Sequence, residues 1–168
     1  GTIRDDDAPE VTVSISDTSV VEAQTGIANA SFAVNLALRA GLPFSNVALR
    51  KATTQSSSYS ATTGAAAVDG QTTSGGISHT EYEAQPWWLV DLGANHWIGA
   101  VRLYNRGDCC QDRLSNLDVS ISVDRTTWAP IYVGATVGFP TTVDFGGQVG
   151  RYVRVQLRGE DYLSLAEV

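Results

Sequence analysis

The chain is 168 residues long, with 43% hydrophobic and 17% charged side chains and a formal net charge of −7. It can bury one sizeable core but is too short for two ordinary domains with a linker. The negative charge argues against nucleic acid and anionic membranes as partners, and no apolar stretch approaches the ~18 residues of a membrane-spanning helix. Methionine is absent, even at position 1, and no signal peptide is recognisable, so we expect a processed or excised piece of a longer protein.

The prevailing pattern is short alternation of β-branched or aromatic residues, interrupted by Gly, Asn, Asp and Pro. No ten-residue window carries a helical stripe. Regularly spaced strands without intervening helices predict an all-β fold, an antiparallel β-sandwich or jelly roll. The predicted strands span residues 11–16, 31–38, 87–92, 97–104, 117–123, 128–133, 141–145 and 151–158, with a last one near 163–168.

A change of composition near residues 40–46 divides the chain into two predicted parts, 1–45 and 46–168. The first part contains only two predicted strands, which cannot bury enough surface to be stable alone. It resembles the opening of a Calx-β repeat, through Arg4-Asp5-Asp6-Asp7 and the run Val-Ser-Ile-Ser-Asp-Thr-Ser-Val-Val-Glu. We expect its exposed edge to pair with the second part, with another copy or with nothing. The acidic run is better explained as a solvated linker than as a calcium site.

The cysteines Cys109 and Cys110 are the only two in the chain, and because they are adjacent they cannot link distant segments. No CxxC pair or second ligand cluster accompanies them, which argues against zinc. Two alternatives remain: a pair of buried free thiols, or a vicinal disulfide closed in an oxidising compartment. The flanking Asp, Arg and Gly predict an exposed loop, which favours the disulfide. Such a strained eight-membered ring would form a small, rigid, apolar platform.

Polar side chains suited to ligand recognition surround the cysteines, namely His79, Arg106 and Arg113, with Asp108 between the arginines. A sugar hydroxyl offers one donor and two acceptors, so distinguishing one epimer requires several fixed donors that converge on neighbouring oxygens. Asp108 is expected to accept hydrogen bonds from both guanidinium groups and so lower the ordering cost of binding. Each residue alone is better explained as ordinary surface, and only their joint spacing favours a site.

That spacing is His79, twenty-six residues, Arg106-x-Asp108, four residues, Arg113, with the double cysteine inside the last gap. It resembles the signature of the F-type lectins, the fucolectins. The similarity covers residues 46–168, and blocks shared with the wider discoidin-like jelly rolls identify the fold alone. Those blocks are Ala67-Val68-Asp69-Gly70, Pro86-Trp87-Trp88-Leu89-Val90-Asp91-Leu92-Gly93 and Gly150-Arg151-Tyr152-Val153-Arg154-Val155.

The resemblance implies a calcium-dependent, non-enzymatic domain that binds terminal α-L-fucose on glycans. By position, His79, Arg106 and Arg113 would hydrogen-bond the ring oxygen and the 3- and 4-hydroxyls. The Cys109–Cys110 disulfide would pack against the sugar around C1 and C2. Burying the fucose methyl contributes only about 0.8 kcal/mol, so discrimination would rest mainly on donor geometry. The implied partners are fucosylated glycans met outside the cell, by a secreted or cell-surface protein whose oligomers or tandem repeats would raise avidity.

The resemblance also implies a calcium site with a structural role, between the binding loop and the closing strand. Calcium takes six to eight oxygen ligands, many of them backbone carbonyls. Asp69 and Glu167 would supply the carboxylates, and the alternative is that Asp69-Gly70 is merely a turn. The implied ligand set is Ala66, Asp69, Gln71, Gly76 in the loop before His79, Ala166 and Glu167.

The segment between Asp69 and His79 lacks the aromatic pair that many F-type lectins place over the sugar methyl. Ile77, Tyr82 and Tyr59 are the candidates to replace it. Among the other aromatic residues, one of Trp87 and Trp88 is expected to face inward and the other to lie near an edge. His96, Trp97 and Trp128 are interpreted as scaffold.

Two other functional classes were weighed. A glycosidase needs paired carboxylates, but Asp108 and Asp112 are too close in sequence and too paired with arginines for that role. The module could instead target a larger glycosidase. The third class is a discoidin-type module that binds another glycan, a lipid or a protein. A lipid- or protein-binding module of this type would need exposed apolar side chains on its loops and a basic rim, and the net negative charge argues against these.

Overall fold

The computed structural model describes residues 11–15, 34–38, 45–73, 76–135 and 140–168, and the chain divides into two units, 1–45 and 46–168. In the first unit, strand β1 (Val11–Ile15) pairs antiparallel with β2 (Val34–Leu38). The two strands predicted there are therefore confirmed within the described residues. The Asp5–Asp7 run and most of the Calx-β-like segment lie outside the described residues, so that resemblance stays a prediction.

The second unit is built almost entirely of strands, as predicted. A five-stranded antiparallel sheet has the order β3-β6-β9-β7-β8, and two short ladders, β4-β11 and β5-β10, are also antiparallel. Two 3₁₀ helices, Gly64–Val68 and Gln111–Arg113, interrupt the strands. The strands are β3 (Ala52–Gln55), β4 (Ser78–His79), β5 (Glu83–Ala84), β6 (Trp87–Leu103), β7 (Ser115–Ser122), β8 (Ala129–Ala135), β9 (Thr141–Leu157), β10 (Glu160–Asp161) and β11 (Ser164–Leu165).

The longest strands differ from the sequence prediction. β6 joins the predicted strands 87–92 and 97–104, and β9 joins 141–145 and 151–158. The intervening glycines were expected to make turns, but β6 stays paired with β9 on both sides of two register shifts. Such irregularities let a strand absorb an extra residue and bend without ending. β3 was missed because its four residues, Ala-Thr-Thr-Gln, carry almost no hydrophobic signal.

The core lies against one face of the five-stranded sheet. Val90, Val119 and Val155 occupy neighbouring strands and are fully buried. Burying one such side chain contributes about 1.5–3 kcal/mol. Trp88 is also fully buried, and its Nε1–H donates to the Gly64 carbonyl at 2.9 Å, which ties the sheet to the first 3₁₀ helix.

The tryptophans were only partly predicted. Trp88 faces inward and Trp87 is half-buried, as expected. Trp97 is 63% exposed, so its assignment to the scaffold is wrong. Its register partner Val149 is also exposed, whereas the adjacent Ile98 is buried. The second register shift, between Ile98 and Ala100, leaves Trp97 on the face opposite to the buried Val101 and Leu103. The Cζ of Arg154 lies 4.3 Å from the centre of the Trp128 ring, so Trp128 stacks against an arginine.

The described part of the chain contains no helix long and apolar enough to cross a membrane.

Candidate functional site

The loop between β6 and β7 carries most of the predicted site residues and is closed by a buried asparagine. The Asn105 Nδ2–H donates to the Gln111 carbonyl at 2.8 Å, and its Oδ1 accepts from the Arg106 amide at 2.8 Å. Cys110 has a φ of 58°, in the left-handed region that non-glycine residues rarely adopt. Asn105 therefore holds this tight loop in shape. Sequence reasoning missed this role because no motif marks the residue.

Arg106 and Asp108 form a two-bond ion pair at the tip of this loop. Nε and Nη2 of Arg106 each donate to a different carboxylate oxygen of Asp108 at 2.7 Å. The arginine side chain is 12% exposed and the aspartate 67%. The hydrogen-bonded guanidinium holds the pKa of the Asp108 carboxyl well below its usual range, and the carboxylate raises the pKa of Arg106. Arg106 is thus held in place, and three of its five N–H groups remain for a ligand.

Arg113 is held by different partners from those predicted. Asp108 was expected to accept from both arginines, but it bonds Arg106 in the described structure. The Nε of Arg113 lies 3.7 Å from an oxygen of Asp161, and its Cζ lies 4.8 Å from the centre of the Tyr162 ring. Asp161 lies on β10 and Tyr162 follows it directly, so the partners of Arg113 come from a segment far along the chain.

His79 lies on β4, opposite Ser164 of β11, and is buried. Its Nδ1 lies 2.7 Å from the Thr80 carbonyl. Because a carbonyl only accepts, Nδ1 carries the proton, and in the neutral ring Nε2 is an acceptor. The sequence analysis expected His79 to donate, whereas a neutral ring bonded in this way offers an acceptor at Nε2.

An aromatic cluster surrounds His79. The Tyr59 ring centre lies 4.9 Å from that of His79, and the Tyr162 ring lies 5.3 Å from it. Tyr82 contacts Tyr162 at 5.4 Å. Tyr59 and Tyr82 were candidates for contacting the sugar methyl, whereas Tyr162 and Asp161 were missed because no motif marks them.

Two of the predicted sugar-binding residues meet at the C-terminal segment. His79 and Arg113 both contact the ring of Tyr162. Arg106 lies in the same closed loop as Arg113, and that loop begins at Tyr104, which bridges Glu167. His79 and Arg113 thus meet at one ring, and Arg106 lies on the same loop as Arg113.

Two of the residues implied as calcium ligands, Asp69 and Glu167, lie near each other. One Glu167 oxygen, Oε2, accepts from the Gly70 amide at 3.1 Å, while Oε1 is buried without a hydrogen-bond partner. Burial raises the pKa of the Glu167 carboxyl, and the charge of Asp69 raises it further. A Cβ on Gly76 would lie 3.6 Å from the Cβ of Ala66, so these two chain segments are close.

These observations fit a hard cation with few carboxylate ligands. In the described residues, no three or more His, Cys, Asp or Glu side chains cluster as a metal site. Any calcium would therefore depend on the carboxylates of Asp69 and Glu167 and on backbone carbonyls. The Asp69 Oδ1 accepts from the Gln71 amide at 2.8 Å, so Asp69-Gly70 also forms the turn weighed as the alternative. A buried carboxylate oxygen without a partner is the feature that a turn alone leaves unexplained.

Comparison with known proteins is consistent with this geometry. Residues 66–155, more than half of the chain, match the family described as NedA-like, galactose-binding domain. Over 139 residues the chain is 34% identical to Fucolectin of Anguilla anguilla, covering 73% of this chain and 88% of that protein. The chain belongs to the F-type lectin family. The resemblance and the discoidin-like fold predicted from the sequence are thereby confirmed.

Two further matches agree with this assignment. The F-type lectin chain is 36% identical to Fucolectin-6 of Anguilla japonica, covering 61% of this chain but 59% of that protein's length. The solved lectin domain of lectinolysin complexed with Lewis B antigen superposes with a TM-score of 0.71 at 35% identity, covering 75% of this chain and 95% of that one. Lectin domains bind and do not catalyse, so the prediction of a non-enzymatic domain is confirmed.

The cysteines of this F-type lectin are placed as the exposed-loop alternative predicted. Cys109 is exposed and Cys110 half-buried, so they are not a pair of core thiols. A hydrogen bond from Cys110 raises the pKa of the Cys109 thiol. Both are thiols in this structure, and the Cys109–Cys110 bond stays a proposal.

Proposed function

We propose that residues 46–168 bind terminal α-L-fucose on glycans, through His79, Arg106 and Arg113. The observation that carries the proposal is the convergence of His79 and Arg113 on the ring of Tyr162, beside the loop that holds Arg106. The names of the eel relatives and the Lewis B complex of the lectinolysin domain support fucose as the sugar.

The polar groups match the needs of a sugar with adjacent hydroxyls. The N–H groups of Arg106 and Arg113 donate to hydroxyl or ring oxygens, and Nε2 of His79 accepts from a hydroxyl. Asp108 keeps the Arg106 side chain ordered before the ligand arrives, which reduces the entropy lost on binding. We assign the ring oxygen and the 3- and 4-hydroxyls to these three side chains.

The methyl group of fucose is proposed to contact Tyr59. Among the three candidates, this ring contacts His79 directly, and nearly half of its surface is exposed. Such a contact contributes about 0.8 kcal/mol for one methyl, which corresponds to roughly a fourfold preference. The arginines and histidine must therefore provide most of the selectivity.

The second proposed component is a Cys109–Cys110 disulfide beside the sugar. The exposed loop supports it, because Cys109 is exposed and Cys110 only half-buried. We expect protein prepared in an oxidising medium to weigh two hydrogens less than the reduced chain, and to resist alkylation until a reductant is added. Intact-mass spectrometry before and after reduction measures this. Immediate alkylation of both thiols in protein kept from reductants would contradict the bond.

The third proposed component is a calcium ion held by Asp69, Glu167 and backbone oxygens of Ala66, Gln71, Gly76 and Ala166. The unpartnered Oε1 of Glu167 supports it. The ion would supply positive charge that stabilises this buried carboxylate. It would join the segment after the first 3₁₀ helix to the C-terminal segment, a structural contribution to the sugar site.

The proposed partners are fucosylated glycans outside the cell, met by a secreted or cell-surface protein. Binding of one monosaccharide is expected to be weak, and tandem copies or an oligomer would raise the avidity for glycan-bearing surfaces.

A glycan array with competing monosaccharides tests the proposed function. We expect binding to glycans with terminal α-L-fucose, inhibition by free L-fucose and far weaker inhibition by galactose, which carries a hydroxymethyl group in place of the methyl. Equal inhibition by both sugars would contradict fucose selectivity. Selective binding to non-fucosylated glycans would favour a discoidin-type module for another sugar.

A further inference from the structure

Tyr162 contacts more of the candidate sugar site than any residue the sequence marked. Its ring centre lies 4.8 Å from the Cζ of Arg113 and 5.3 Å from the His79 ring, which it meets edge-on. Tyr59 and Tyr82 meet the same ring at 5.9 and 5.4 Å. One half-buried side chain thus joins residues from three separate segments, since His79 and Tyr82 belong to the same stretch.

The backbone on both sides of Tyr162 is anchored. Its own amide donates to Oδ1 of Asp161 at 2.7 Å, and Asp161 lies on β10, paired with β5. The next residue, Leu163, is fully buried, and its amide donates to Oγ1 of Thr80 at 2.9 Å. Since Thr80 follows His79 directly, the position of Tyr162 is coupled to that of the histidine.

Arg113 depends on this ring because its carboxylate contact is weak. Arg106 is held by two hydrogen bonds of 2.7 Å, whereas the Nε of Arg113 lies 3.7 Å from Asp161, too far for a hydrogen bond. A guanidinium group stacks flat on an aromatic ring, and that contact restricts the plane in which its N–H groups point. With its Cζ 4.8 Å from the Tyr162 ring centre, Arg113 is in reach of this restriction.

We propose that Tyr162 is a positioning residue for fucose recognition, which holds Arg113 and His79 at the spacing that the sugar requires. The inference rests on the proposed function. Replacing Tyr162 by leucine removes the aromatic face while keeping an apolar side chain, and we expect affinity for L-fucose to fall by about tenfold. Tyr162→Phe keeps the face and is expected to bind within about threefold of the unchanged protein.

Calorimetric titration with L-fucose of the full chain, Tyr162→Leu, Tyr162→Phe and Arg113→Ala measures these effects. Tyr132→Leu is the matched control, because Arg158 stacks on Tyr132 at 4.2 Å but neither residue belongs to the proposed site. The NMR signal of the Arg113 Nε–H, compared among the same proteins, reports the stacking independently of sugar. We expect its ring-current shift to persist in Tyr162→Phe and to disappear in Tyr162→Leu.

Unchanged fucose affinity in Tyr162→Leu, with binding lost in Arg113→Ala, would overturn the inference and leave the proposed function intact. Equal weakening in the Leu and Phe variants would also overturn it, because the hydroxyl and not the ring face would then matter. If the unchanged protein did not bind fucose, the proposed function would fail, and the Arg113 signal would still decide whether Tyr162 orders that side chain.

Discussion

Replacing Arg106 or Arg113 by alanine is expected to abolish measurable fucose binding while the domain stays folded. Each guanidinium would lose two or more hydrogen bonds to sugar oxygens, and hydrogen bonds that involve a charged group contribute about 1.5–3 kcal/mol each. Affinity should therefore fall by more than about a hundredfold. Both side chains lie in or beside the loop and outside the core cluster, so the melting temperature should change little. Titration calorimetry and thermal melts measure the two effects.

Arg158→Ala is the matched control for this experiment. Arg158 also makes a two-bond ion pair with an aspartate, Asp118, at 2.8 and 3.0 Å. Asp118 lies on β7 and Arg158 directly follows β9, so this pair is not part of the proposed site. It should bind fucose as the unchanged protein does. Fucose binding retained by either Arg106→Ala or Arg113→Ala would refute the assigned site.

Calcium is expected to reverse the stability order of the unchanged protein and Glu167→Gln. Without the ion, the unchanged chain keeps a buried carboxylate with one unpartnered oxygen and a raised pKa, whereas glutamine carries no charge there. Glu167→Gln should then melt at the same or a higher temperature in the presence of a chelator. With calcium at about a hundred times its dissociation constant, the unchanged protein gains about 2.7 kcal/mol. That gain corresponds to a shift of roughly 10 °C in a domain of this size.

Thermal melts of both proteins with calcium and with a chelator measure this reversal. Glu83→Gln is the control, because Glu83 is a half-buried carboxylate whose oxygen already accepts from Ser56 and Ser57. Its calcium-dependent shift should equal that of the unchanged protein. If chelation left the melting temperature of the unchanged protein the same, calcium would have no place in this domain.

The fold class was predictable because strand alternation and turn residues are local properties. The antiparallel architecture follows from these signals, and most strands lie where the alternation indicates. The misjudged details depend on neighbours. β6 and β9 continue past glycine-containing segments because the pairing between the two strands resumes beyond each register shift. Trp97 is exposed because the register shift between Ile98 and Ala100 leaves it on the face opposite to the buried Val101 and Leu103, which share the predicted strand 97–104 with it.

The site was predictable to the extent that spacing along one loop carries it. Eight consecutive residues contain Arg106, Asp108, the double cysteine and Arg113. His79 was added to this set only because its spacing from Arg106 matches the F-type lectin signature. Local spacing suggested that Asp108 serves both arginines, but it serves Arg106. The partner of Arg113 comes from a segment about fifty residues further along the chain, and no local pattern could name it.

Residue chemistry and order along the chain were enough to establish an all-β lectin-like domain and the polar groups that would face a sugar. Only folding in three dimensions decided that Tyr162 and Asp161 stand beside Arg113, that Nδ1 of His79 bonds a backbone carbonyl, and that Glu167 keeps a buried oxygen without a partner. These features arise where short ladders bring distant segments together, and such contacts depend on strand pairing that a linear sequence does not display.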